Sequence, residues 1–133
     1  MSANVGKPTQ QVTFIYTRDL AETAGFYAEV VGLEQVLDQG SCRIFRVAGE
    51  AFLGVCARDD REVAPAGVTV TFVVDDVDGW YDRLWEAGAE IETAPEHHPE
   101  FNVHSFFVRD PSGYRLEFQR FESPHWPAAS ASG

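Results

Sequence analysis

The residue with the most chemistry to offer is Glu117, in the run Tyr114-Arg115-Leu116-Glu117-Phe118-Gln119. A carboxylate among apolar neighbours loses hydration and holds its proton more tightly, which suits a general base or an anchor for a cation. The segment before it, Asp110-Pro111-Ser112-Gly113, reads as a turn. Asp110 can bond the turn backbone, Pro111 presets φ at the first central position, and Gly113 relieves crowding. A hairpin closed there pairs Arg109 with Tyr114, Val108 with Arg115, Phe106 with Glu117 and His104 with Gln119. Cross-strand partners share a face. His104, Phe106, Val108, Arg115, Glu117 and Gln119 are thus expected on one side, and Val103, Ser105, Phe107, Leu116 and Phe118 on the other, beneath a helix. His104 then lies diagonally from Glu117, where it can share an ion, act as a second acid-base group, or simply hydrogen-bond the carboxylate.

Other candidates weigh less. His97 and His98 stand in a Pro-bounded loop, where adjacent side chains diverge, so both are expected in solvent. Cys42 and Cys56 lack the neighbouring His or basic cluster of a nucleophile, although Arg43 follows Cys42, and Cys56 is expected as buried filling on the helix side. A chain of this length does not require a disulfide. No Ser, His and Asp grouping, Gly-rich phosphate loop or CxxC motif is present.

The formal charge is -11, with 21 Asp and Glu against 10 Lys and Arg, and the basic residues form no stripe. That argues against nucleic acid and anionic membranes as partners; the field favours a cationic ligand, or serves solubility alone. With no apolar leader and no membrane-length apolar run, a cytoplasmic protein is expected.

The elements that must position Glu117 follow from periodicity. Residues 1–10 read as a flexible arm, and 12–17 as a strand rich in β-branched and aromatic residues. Asp19 and Glu22 have capping-box spacing, and Leu20, Ala24, Tyr27 and Val31 recur on one face before Gly32, which predicts a helix over 20–31. Strands are predicted at 33–37, 42–47 and 51–56. The polar stretch 58–66 reads as a linker. The order then repeats: a strand at 68–74, a helix carrying Val77, Trp80, Tyr81, Leu84 and Trp85 on one stripe and closed by Gly88, a short strand at 90–93, and the hairpin. Two βαβββ modules, about 11–57 and 67–121, therefore make one domain over 11–121 of class α+β. Residues 122–133 are expected as a mobile tail, with Trp126 as its one candidate pin.

Asp19-Leu20, Phe26-Tyr27 and Gly32-Leu33 in the first half, with Asp76-Val77, Asp110-Pro111-Ser112-Gly113 and Glu117 in the second, make the chain resemble the vicinal oxygen chelate superfamily. That grouping holds glyoxalases, bleomycin-resistance proteins, fosfomycin-resistance enzymes and extradiol dioxygenases. The resemblance spans residues 11–121. It implies curved mixed sheets around a pocket with helices outside, and modules that pair within a chain or across a homodimer. Its metal-dependent members use a His or Gln in the first strand and a Glu in the last strand of each module. Those positions here are Val12, Thr69, Val55 and Glu117, and only Glu117 offers a carboxylate. Gln11 would restore an amide oxygen only if the first strand turned over. No cofactor is therefore expected, with a divalent metal held by Glu117 as the alternative.

Alternation carried through every strand points Val12, Phe14, Tyr16, Ile44, Arg46, Leu53, Val55, Thr69, Thr71, Val73, His104, Phe106, Glu117 and Gln119 inward. Of these, Phe14, Tyr16, Arg46, Val55, Thr69, Thr71, His104, Phe106, Glu117 and Gln119 are the expected ligand contacts, unless the set merely fills a closed core. Arg46 and Glu117 are candidate partners for one another. The expectation is a protein that binds a small, largely apolar or aromatic organic molecule, neutral or cationic, in a metal-free pocket. The competing expectation is a lyase, isomerase or dioxygenase, with Glu117 as base or metal ligand and His104 or Tyr16 assisting.

Overall fold

The structure, a computed structural model, describes residues 5–59 and 63–129. The first module runs β1 (Gln11–Thr17), α1 (Leu20–Gly25), a π-helical continuation (Phe26–Val31), β2 (Glu34–Asp38), β3 (Cys42–Ala48) and β4 (Ala51–Ala57). The second runs β5 (Thr69–Val73), α2 (Val77–Glu86), β6 (Glu90–Ile91), β7 (Glu96–His98), β8 (Val103–Arg109) and β9 (Arg115–Phe121). Each module makes a mixed sheet, ordered β1-β4-β3-β2 in the first and β5-β9-β8-β6 in the second, where β7 also pairs with β8. This is the duplicated α+β architecture expected from the repeat. Two details differ. The helix over 20–31 widens after Gly25, which brings Phe26, Tyr27 and Val31 onto its buried side. Residues 96–98, expected in a loop, form β7 and pair in register with β8.

The caps behave as their residue types require. Asp19 accepts from the Glu22 N–H at 3.1 Å, and Asp76 from the Gly79 N–H at 2.9 Å, each satisfying a donor that the helix cannot. Gly32 adopts φ 84° at the helix end, a conformation that any side chain would strain.

One face of each sheet lies under a helix. In the second module Phe118 stacks with Phe106, Phe72 and Trp80, while Tyr81 meets Phe106 edge-on. In the first, Ile15, Phe45, Leu53 and Val55 are fully buried. Among the described residues, the opposite faces carry no helix.

The modules are tied together by polar groups. The Tyr27 hydroxyl donates to Asp110 at 2.6 Å, Thr23 and Ser112 share a hydroxyl contact at 2.8 Å, and the Tyr16 N–H donates to the Tyr114 hydroxyl at 3.1 Å. Arg83 of α2 donates to the Val30 carbonyl at 2.8 Å. The turn of the second module thus docks on the helix of the first. Burial pushes the Tyr27 phenol well above its usual pKa, aided by the Asp110 charge. Burial also raises Asp110, against the hydrogen bonds that favour its ionised form.

Cys42 and Cys56 are joined by a disulfide, which corrects the expectation of two free thiols with Cys56 on the helix side. They are direct cross-strand partners on β3 and β4, beside Tyr16 on the bare face. At the tail, Trp126 stacks on Phe121 with centroids 3.6 Å apart, and residues 130–133 lie outside the described residues. Of the expected linker, 60–62 also lie outside them. No helix among the described residues is long and apolar enough to cross a membrane.

Candidate functional site

The bare face of the second sheet holds a cleft of about 370 Å³ lined by Thr69, Thr71, His98, Phe101, Val103, Phe107, Arg115, Glu117 and Gln119. Glu117 stands on β9 with Thr71 directly across on β5 and Gln119 two residues along. Thr71 Oγ1 donates to one carboxylate oxygen at 3.0 Å and Gln119 Nε2 to the other at 2.9 Å. Arg115 lays its guanidinium over the Phe107 ring, 3.7 Å from the centroid, and faces Glu92 at 3.6 Å. Glu92 also takes Arg109 at 2.5 Å. His98 is 3.9 Å from Glu96, and its Nε2 is buried without a hydrogen-bond partner. Ser105, paired with Gln119 on this face, is 0% exposed, and its hydroxyl is likewise unpartnered.

Four of the expected contacts, Thr69, Thr71, Glu117 and Gln119, are brought together. His104 and Phe106 are not. The hairpin closes with Arg109 opposite Arg115, one residue beyond the expected pairing, so Phe107 faces Glu117 and Ser105 faces Gln119. A one-residue slip turns every β8 side chain over. Its cause lies in the loop, where Asp110 accepts the N–H groups of both Ser112 and Tyr114 at 2.9 Å, which leaves Tyr114 in the turn and buries its ring. His104 accordingly faces α2, 3.5 Å from Asp78, and Phe106 joins the aromatic core.

Val55 and Leu53 also leave the site. They face the helix and are buried in the core, because a bulge between Arg46 and Ala48 shifts the phase of β4. The bare face of the first sheet instead carries Phe52, Gly54 and Cys56 beside Val12, Phe14 and Tyr16. Phe14 lies so close over Gly54 that a Cβ there would come within 2.5 Å of its ring. Phe14 and Tyr16 line a different hollow, with Val68 and Tyr114, and Val12 and Ile44 line a third. Arg46 pairs with Glu34 at 3.5 Å and lies over Phe52, not with Glu117.

Sequence reasoning missed His98, Phe101, Val103 and Phe107 as cleft residues; Arg115 was expected on the Glu117 face but not as a contact. Glu96-His97-His98 is polar throughout and carries no alternation; its pairing with β8 sets His98 opposite Val103 on the cleft face.

The donor set does not suit a divalent ion. Of the four positions that the resemblance assigns to metal ligands, Val12 and Val55 have no lone pair to give, Thr69 has only a hydroxyl, and Glu117 alone is a carboxylate. No three His, Cys, Asp or Glu side chains converge among the described residues. A stable site ordinarily needs three or four such ligands.

Two βαβββ units, each with an open sheet face, define a scaffold of the glyoxalase type. The chain belongs to the Glyoxalase/Bleomycin resistance protein/Dioxygenase superfamily, whose profile matches residues 9–118. Among solved structures, it is similar to a lactoylglutathione lyase from Agrobacterium tumefaciens, with 27% identity, TM-score 0.69, and 87% of this chain and 95% of that one covered. A glyoxalase/bleomycin resistance protein/dioxygenase from Nocardioides shares the fold at 19% identity and TM-score 0.74, covering 96% and 92%. TioX from Micromonospora sp. ML1 does so at 24% identity and TM-score 0.71, covering 85% and 98%. No curated protein matches the chain.

Proposed function

We propose that this protein binds a small, largely apolar or aromatic organic molecule on the bare face of its second module, without a metal ion. The observation that supports this is the cleft, where apolar Val103, Phe101 and Phe107 surround a few directed polar groups, Glu117, Gln119 and Thr71. A screen of small organic compounds by amide chemical-shift mapping tests it. Saturable shifts in Thr71, Phe107, Glu117 and Gln119 are expected, and a screen without them overturns the reading. Metal content after purification without chelator, with titrations of Zn, Mn, Ni and Fe, tests the metal-free part; tight stoichiometric metal overturns that part.

A second reading, a lyase or isomerase with Glu117 as general base, is favoured by His98, which shares the cleft with the carboxylate, and by the name of the Agrobacterium neighbour. In that case Glu117→Gln abolishes turnover of the substrate, and unchanged turnover excludes it.

The same proposal includes a homodimer. Val12, Val36 and Leu37, all large and apolar, are exposed around one hollow of the first sheet, and a second copy would cover them. Sedimentation velocity at micromolar concentration is expected to give about twice the 14.8 kDa chain mass; a monomer excludes the dimer.

A further inference from the structure

We infer that Glu117 anchors an organic cation that presents two N–H donors in one plane, an amidinium or guanidinium head. This deepens the reading of the cleft as a ligand site and rests on it.

The carboxylate is held by two neighbours, with the Thr71 hydroxyl on one oxygen and the Gln119 amide on the other. A carboxylate has about four lone-pair positions. One donor on each oxygen therefore leaves one acceptor position on each, and Glu117 lines the cleft from which a ligand would reach them. Two parallel acceptors match a planar fork of N–H groups, whereas a single ammonium or a neutral amide can use them only in part.

The surroundings suit a flat cation. Arg115 already stacks its guanidinium on Phe107, so the aromatic surface left to a ligand is that of Phe101. Phe101 stands at the rim, 70% exposed. Arg115 shares Glu92 with Arg109. Glu92, Glu96 and Glu117 outnumber Arg109 and Arg115 around the cleft, and the chain as a whole carries -11. Such a field draws cations toward the face.

The experiment uses three compounds with one ring and different heads: benzamidinium, benzamide and benzoate. Each is titrated into the ¹⁵N-labelled protein and into Glu117→Gln and His104→Ala variants, whose folds are checked by thermal melting. Benzamidinium is expected to bind about tenfold more tightly than the others, a step of one charge-assisted bidentate contact, and to shift the Thr71, Glu117 and Gln119 amides. Glu117→Gln should remove that advantage, and His104→Ala should keep it. Equal affinity for benzamide or benzoate, or an advantage that survives Glu117→Gln, overturns the inference while binding of the neutral ring leaves the ligand-site reading standing. If none of the three shifts the cleft amides, the inference falls, and the wider compound screen then decides whether the ligand-site reading falls with it.

Discussion

The Tyr27 hydroxyl donates a 2.6 Å hydrogen bond to the buried Asp110 carboxylate, joining residues 83 positions apart. Through it, the helix of the first module holds the turn that sets the register of β8 against β9. Tyr27→Phe removes the donor and leaves a buried carboxylate oxygen short of one partner. The expected loss is about 2 kcal/mol of stability, read as a lower urea midpoint at unchanged slope; an unchanged midpoint would falsify the role assigned to this contact.

Both groups hold their protons more tightly folded than unfolded. For Tyr27, the stabilising contribution is complete below the ordinary phenol pKa of about 10 and is lost as pH climbs beyond it toward the folded value. Alkaline unfolding is expected to set in there and to shift in Tyr27→Phe. For Asp110, the contribution is complete below the ordinary carboxyl range and is lost as pH rises through the raised folded pKa. Melting of wild type and Asp110→Asn from acid to neutral pH should therefore show the variant gaining on the wild type. A gap that moves the other way refutes the assignment.

The Cys42–Cys56 bridge links residues 14 positions apart. Closing a loop of that size restricts the unfolded chain by about 3 kcal/mol. Reduction is expected to lower the melting temperature to that of the Cys42→Ser, Cys56→Ser double variant, and alkylation with mass analysis should find no free thiol before reduction. Free thiols in the untreated protein count against the bridge.

His98 and His104 separate the observed register from the expected one. His98→Ala opens the cleft wall and should weaken any ligand found there. His104→Ala loses only a contact to a largely exposed Asp78, with an expected cost of about 0–1 kcal/mol and no effect on binding. Amide mapping with one ligand across both variants distinguishes the two; if only His104→Ala weakens binding, the placement of β8 is wrong.

The duplication, the order of strands and helices apart from β7, the Asp19 cap and the bare-face positions of Thr69, Thr71, Glu117 and Gln119 could be read along the chain. Each depends on alternation or helical period within one element, which neighbouring residues set. The phase of β8 and of β4, and with it the exchange of His104, Phe106 and Val55 for Val103 and Phe107, could not, nor could β7, which brings His98. A strand's phase relative to its partner turns on one residue in the connecting loop or a single bulge. Here, that choice was made for β8 by the Asp110 turn, which Tyr27 and Tyr16 of the other module hold, and for β4 by the bulge between Arg46 and Ala48. Local pattern is blind to these, and only the assembled modules supply them.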